Sequence, residues 1–277
     1  MKVSKGARAV IFIVLALFAV LWIFPVVWAF FTSFKSNNEI ITSDFSLIPH
    51  QWVLDNFYEL LNGNEQTPVL RWFLNSLVIS VGQTLLVVVV VALAAYGYTR
   101  VKFRGRDALF TFLIATMMFP GVLNLIPNYK IVEALGWINT PLAIIVPGAA
   151  GVYNVFLVQQ FVRGIPTELD EAAIVDGANH WQIFLYIVLP LIRPALTVVA
   201  LFTFTGAWND FLWPSIVMTD VDAMPITPGL QLLQGQYQTY PGIATAGALI
   251  ALVPMLLMFF FAQKYFMQAL ALNSGIK

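Results

Sequence analysis

Long apolar runs alternate with short polar interruptions along this chain, and the length of each run decides what it can be. Crossing the hydrocarbon core of a bilayer takes about 20 mainly apolar residues in a helix. Six stretches meet that requirement, at about 9–34, 72–99, 107–128, 141–162, 191–218 and 242–266. The first follows Lys2, Lys5 and Arg8, as an export signal would, yet it continues through Trp22, Phe24, Trp28, Phe30 and Phe31 with no small-residue cleavage site. A cleavable signal has an apolar core of only about 7–15 residues, so this stretch is expected to remain as a span. The pattern predicts an all-α membrane protein with six transmembrane helices in one domain, 1–277.

The positive charges orient these spans. With the N-terminus on the cytoplasmic side, the inner segments hold Lys2, Lys5, Arg8, Arg100, Lys102, Arg104, Arg106, Arg163, Arg193, Lys264 and Lys277. The outer segments hold only Lys35, Arg71 and Lys130. Basic residues favour the cytoplasmic side during insertion, so both termini are expected there. The outer segment 35–71 is the longest, and its Trp52, Phe57, Tyr58 and Leu60 predict a small interfacial helix. Residues 219–241, punctuated by Pro225, Pro228, Gly229 and Gly235, read as an outer loop. The basic run from Arg100 to Arg106 reads as an anchor at the lipid headgroups.

Composition narrows the function classes. The 277 residues are 60% hydrophobic and 10% charged, with a mean hydropathy of +0.82. A soluble domain carries about 25% charged residues, so a soluble enzyme and a disordered chain are both excluded. Fourteen basic against fourteen acidic residues leave a formal net charge of zero, which argues against a nucleic-acid partner. There is no cysteine, and His50 and His180 are the only histidines. That removes disulfides, thiolate metal sites and a histidine-rich metal centre. Neither a GxxxxGK[ST] phosphate loop nor an HExxH motif occurs, so this chain is not expected to hydrolyse ATP itself.

One inner segment, about 164–190, is more than a connector. Pro166 or Thr167 can open a helix, and Glu168, Asp170 and Glu171 fall in its first turn, where negative charge suits the helix dipole. Ala172 and Ala173 form helix without bulk, and Gly177 offers the left-handed position that ends one. A second helical pattern follows through Ile183, Phe184, Ile187 and Val188, and Pro190 and Pro194 are expected to kink or restart it. A helix lying on a membrane surface has a polar face rich in Lys and Arg, whereas this one is acidic. Docking into another protein explains it better.

Glu171-Ala172-Ala173, then Gly177, then Ile187, Leu189 and Pro190, resemble the EAA loop of ABC importer permeases. Ile165-Pro166 and Asp176-Gly177-Ala178 on its flanks are similar to the carbohydrate-uptake branch. Phe31 to Lys35, Asn75-Ser76, Ala95-Tyr96, Phe103-Arg104-Gly105, Trp208 to Pro214 and Gln263 to Phe266 fall where the shorter, MalG-like, of the two sugar permease subunits has them. Two departures stand out: Asp210 replaces a frequent glutamate, and the tail from Ala269 to Lys277 lacks the usual GLTAGAVKG-like ending.

The resemblance implies the type I importer permease fold in a bacterial or archaeal cytoplasmic membrane. It implies pairing with a second homologous permease, two ATP-binding subunits and an extracytoplasmic solute-binding protein. ATP and Mg would sit on those partner subunits, with no cofactor in this chain. Glu171, Ala172, Ala173, Asp176 and Gly177 would be the ATPase-coupling residues, with Glu171 as the polar anchor. Gly235, Gln236 and Tyr237 look like the loop that meets the binding protein, with a solvated turn as the alternative.

The substrate path is read from the residues themselves. Prolines interrupt the spans at 25, 120, 127, 147, 214 and 254. Such breaks are tolerated where neighbours or water satisfy the freed backbone. Asn124, Tyr153, Asn154, Trp208, Asn209 and Asp210 cluster near them and offer planar polar groups plus an aromatic face, as a sugar requires. For the asparagines, packing between helices is the alternative. Asp210 is placed within a span, where an acid faces a cavity or caps a neighbouring helix. An importer for a glycerol-phosphate-type solute, or an ion-coupled secondary transporter using Asp210, are the other readings.

Overall fold

The structure, a computed structural model, describes residues 4–42, 46–62, 67–149, 151–236 and 240–273. All regular elements among the described residues are helical. In chain order they are α1 (Lys5–Ser33), α2 (Asn37–Ile41), α3 (Asp55–Leu61), α4 (Val69–Arg100), α5 (Arg106–Ala115), α6 (Leu125–Ala134) and α7 (Leu142–Ile145). There follow α8 (Val152–Arg163), α9 (Glu168–Val175), α10 (His180–Ile183), α11 (Leu189–Asn209), α12 (Leu212–Val217), α13 (Ile226–Gln236) and α14 (Pro241–Asn273). The short helix expected between the first two spans is α3, which holds Phe57, Tyr58 and Leu60 but begins after Trp52.

Four helical stretches are long and apolar enough to cross a membrane: Lys5–Ser33, Val69–Arg100, His180–Asn209 and Pro241–Phe260. The other two expected spans are bent. Residues 107–128 do not form one rod: Arg106–Met118 and Gly121–Ala134 meet at 97°. Pro120 cannot donate to the helix ladder, and its ring forces Phe119 out of the helical region, to φ −81° and ψ 125°. Leu142–Ala149 and Val152–Arg163 meet at 46°. Among the described residues, then, four helices are long and apolar enough to cross a membrane, or up to six if each bent pair is one span.

Two further expectations are corrected. Pro190 and Pro194 do not restart the fifth span, because helix runs from His180 to Asn209. Phe184–Val188 widens into a π-turn immediately before Pro190, which gives the proline ring room that a regular turn denies it. Residues 226–236 are helical despite Pro228 and Gly229. Pro228 lies in the first turn, where a backbone N–H has no partner within the helix anyway, so its loss costs little. The Ile226 N–H is satisfied from outside, donating to Ser76 Oγ at 2.7 Å.

The chain divides into two compact units, residues 1–70 with 229–253 and residues 71–228 with 254–277. In the first unit, no residue of the most apolar part of α1 is buried, so lipid or another chain must cover it. Past α1 the chain folds back on itself. Val53 N–H donates to the Phe34 carbonyl at 2.9 Å, and the Phe34 ring packs on Trp52 and Phe57 at 5.4 and 5.1 Å. Asn56, buried, donates to the carbonyls of Ser33 and Lys35 at 2.9 and 2.8 Å and so closes the end of α1.

Glu39 ties this outer segment together by accepting from the backbone N–H of His50 at 2.9 Å and lying 3.1 Å from its Nδ1. Burial pushes the Glu39 carboxyl up, but the His50 backbone and imidazole bonds and the His50 and Lys35 charges outweigh it. The carboxyl titrates below the ordinary glutamate value. A carboxylate lowered on folding stabilises above its unfolded pKa, and that stabilisation is lost as pH falls through the folded one. Resistance of residues 36–42 and 46–54 to limited proteolysis is therefore expected to hold from neutral pH to about 5 and to fall below about 4. Glu39→Gln should abolish this acid step, and an unchanged step in that variant would assign it to another group.

In the second unit, one core packs Val87, Val91 and Ala95 of α4 against Val155, Val158 and Val162 of α8 and Ile192, Ala195 and Val199 of α11. A second gathers Ile79, Val132, Ala143, Ile144, Val217 and Met218. Asn139, at φ 61°, bridges two turns there, its Oδ1 accepting from the N–H groups of Thr219 and Asp220 at 2.7 and 3.0 Å.

Candidate coupling segment and substrate path

The coupling segment is built from local signals that agree. Gly164 closes α8, and α9 begins after Thr167, whose hydroxyl makes no capping bond. Glu168, Asp170 and Glu171 occupy the first turn as expected, facing the positive end of the helix dipole. At the other end Asp176 is the last half-helical residue, and Gly177 takes φ 84°. Gly177 N–H donates to the Ile174 carbonyl at 3.0 Å and Ala178 N–H to that of Ala173 at 2.9 Å, which is a Schellman closure. Only Asn179 then separates this turn from α10. Asn179 and Gln182 cap each other reciprocally, with the Gln182 N–H donating to Asn179 Oδ1 at 3.0 Å and the Asn179 N–H to Gln182 Oε1 at 2.8 Å.

The two alanines of the motif have different roles. Ala173 packs against the core of the second unit, while Ala172 is exposed beside Glu171. Leu169, Ile174 and Val175 are 45, 56 and 87% exposed. The short acidic helix α9 thus carries three exposed large apolar side chains. Sequence reasoning passed over these three residues, although two adjacent aliphatics in an otherwise acidic segment were the signal. It read Asp170 only as a first-turn acid, whereas the side chain is turned inward: Arg100 Nε lies 2.7 Å from its Oδ2.

The candidate path residues separate by environment. Trp208 is 2% exposed, stacked on Phe204 at 5.8 Å and set edge-on to Phe73 at 5.5 Å. Its ring is core packing, because a face buried within its own chain offers nothing to a sugar. Asn124 and Tyr153 are exposed, and Asn154 is half-buried. Asn209 is exposed and donates back to the Thr205 carbonyl at 2.9 Å. Asp210 does not lie within a helix; it stands in the break between α11 and α12. The backbone N–H groups of Phe211, Leu212 and Trp213, at the start of α12, are the polar groups nearest its carboxyl. Gly235 and Gln236 end α13, and Tyr237 lies outside the described residues.

The described residues thus hold four to six membrane-length segments and a short exposed helix, α9, between α8 and α10. The family described as binding-protein-dependent transport system inner membrane component matches residues 88–271, and the chain belongs to it. A diacetylchitobiose uptake system permease protein of Streptomyces coelicolor is 32% identical, over 84% of this chain and 77% of that one. A maltodextrin transport system permease protein of Bacillus subtilis is 34% identical, over 84% and 83%. An arabinooligosaccharides transport system permease protein of the same organism is 30% identical, over 88% and 87%.

A crystal structure of a bacterial ABC transporter involved in the import of the acidic polysaccharide alginate superposes with a TM-score of 0.83. Identity is 21%, over 96% of this chain and 99% of that one, and the likeness shows the fold. The resemblance drawn from the EAA segment therefore holds: this is an ABC importer permease of the carbohydrate-uptake type.

Proposed function

We propose that this chain is one of two permease subunits of an ATP-driven importer for a mono- or oligosaccharide. The observation that carries the coupling half of this reading is α9, a short helix closed at its C-terminal end and exposing Glu171, Ala172 and Val175. Two ATP-binding subunits, holding ATP and Mg, receive α9 in a cleft and pass their closure to the membrane helices. The segment 164–190 and both termini then lie on the cytoplasmic side, as the eleven-to-three split of basic residues favours. Glu171 anchors the docking, with Ala172, Ala173, Asp176 and Gly177 shaping the surface. An extracytoplasmic solute-binding protein delivers solute at the opposite face, where residues 235–237 contribute to its seat.

Sugar as the substrate is supported by relatives named for diacetylchitobiose, maltodextrin and arabinooligosaccharides. Asn124, Tyr153, Asn154 and Asn209 remain the path residues, with Asp210 in the break between α11 and α12 beside them in sequence. An ion-coupling role for Asp210 is the second reading and has no relative behind it, since the relatives are permeases of uptake systems. Native mass spectrometry of the complex purified through this chain tests the proposal. One copy with a second permease and two ATP-binding subunits is expected. Recovery of the chain alone, or as a homo-oligomer lacking an ATPase, would overturn it.

A further inference from the structure

Two side chains one turn apart at the end of α4 hold the coupling segment at both of its ends. Arg100, the last residue of α4, donates from a terminal guanidinium nitrogen to the Ile165 carbonyl at 2.7 Å. Its Nε lies 2.7 Å from Asp170 Oδ2 in the first turn of α9, a charge contact between side chains only 8 and 13% exposed. Nε makes no aligned hydrogen bond there, and Asp170 Oδ1 is likewise without one among the described residues. One turn earlier, Tyr96 donates its hydroxyl to the His180 carbonyl at 3.0 Å and packs against Phe184 at 5.2 Å. Residues i and i+4 share a helix face, so one face of α4 grips the chain just before α9, within its first turn and just after it.

These contacts are not what folds α9, whose C-terminal end is closed by its own glycine turn and by the Asn179 cap that follows. They are not needed for adhesion either, because an apolar pair of similar volume would hold the two helices at least as well as a largely buried ion pair. What a guanidinium adds is a planar donor aimed at the Ile165 carbonyl while its charge faces Asp170, so one rigid group ties the two positions.

We infer that Arg100, assisted by Tyr96, is a positioning residue that gears the coupling helix to α4. A displacement of α9 by its partner is then carried into a 32-residue membrane-length helix instead of being absorbed at Gly164 or Gly177. Of the first-turn acids, Glu168 and Glu171 stay exposed for the partner, and Asp170 serves this internal link. The inference rests on the coupling role proposed above.

The test uses the whole complex, with its ATPases, in lipid nanodiscs. Because the chain has no cysteine, Leu85→Cys on α4 and Glu168→Cys on α9 take spin labels without competing sites in this subunit. The distance between them is measured without nucleotide and after trapping with ATP and vanadate, which needs no knowledge of the solute. With Arg100 present, one narrow distribution is expected in both states. In Arg100→Ala the same distribution is expected without nucleotide, with a shift of several ångströms and broadening after trapping.

An Arg100→Ala distribution that stays unchanged on trapping overturns the inference, as does a wild-type distance that itself changes. Broadening of equal size in both states would make Arg100 a local strut, which also overturns it. Should the alanine variant fail to assemble, Arg100→Lys, which keeps the charge and loses the planar guanidinium, is expected to shift in the same direction by less. A wild-type complex that carries no ATPase removes the coupling proposal itself, and this is seen before any variant is made.

Discussion

Gly177→Val is expected to lower ATP-driven uptake by about tenfold or more while the chain still inserts and assembles. The cause is conformational. At φ 84° a side chain is strained whatever space surrounds it, and a Cβ built on Gly177 meets nothing within 4 Å. The left-handed region costs a residue with a Cβ roughly 1–2 kcal/mol, and a β-branched one at least as much. About 1.4 kcal/mol is a factor of ten in a population. The variant relieves the strain by opening the turn, which breaks the bonds from Gly177 and Ala178 to Ile174 and Ala173 and unseats the end of α9.

Two controls separate conformation from bulk. Gly177→Asn, which tolerates the left-handed region, is expected to keep most transport, and Gly177→Ala to lie between the two. If uptake instead fell with side-chain volume, asparagine being as harmful as valine, close approach of a partner would be the constraint. Normal uptake by the valine variant would sink the coupling assignment of this segment. Reconstituted uptake with recovery of the intact complex as the control is the measurement.

The second large effect is on stability, in the first unit. Asn56→Ala strips two buried carbonyls, those of Ser33 and Lys35, of their donor. These are end-of-helix carbonyls with no partner within α1. Each buried unsatisfied group costs about 1–3 kcal/mol, so a loss of roughly 2–5 kcal/mol is expected. For a chain of this size that lowers the midpoint of thermal unfolding by on the order of 10 °C. Gly242→Ala should reach the same outcome by a different route, because its new Cβ would stand 2.7–2.9 Å from the Asn56 amide and displace it. The two changes act on one contact, so the double variant is expected to be little worse than either alone. Additive losses in thermal scans of the detergent-solubilised complex would show that Gly242 has another role.

How much could be read from the sequence depended on how local the physics was. Run length sufficed for α1, α4 and α14, since the bilayer demands a minimum apolar length and the backbone must be satisfied within each helix. The caps of α9 and the left-handed Gly177 were likewise legible, because each is settled within about five residues. Prolines were legible only as disturbances. Pro120 breaks the chain through 97°, whereas Pro190 is absorbed by a π-turn and Pro228 by the free first turn of α13. Which outcome occurs depends on what surrounds the residue, and composition does not record that.

By itself the sequence determined the class of the protein, its helical content and the position of the short acidic helix α9, all set by apolar length and short-range turn signals. Only the tertiary structure decided which polar residues are spoken for. Trp208 turned out to be packed against Phe73 and Phe204, Asp210 to stand in the break between α11 and α12, and Asp170 to be a partner of Arg100, 70 positions away. The physical reason is the same for all three. A side chain's role follows from what lies within about 4 Å of it, and in a helical bundle those neighbours come from distant parts of the chain.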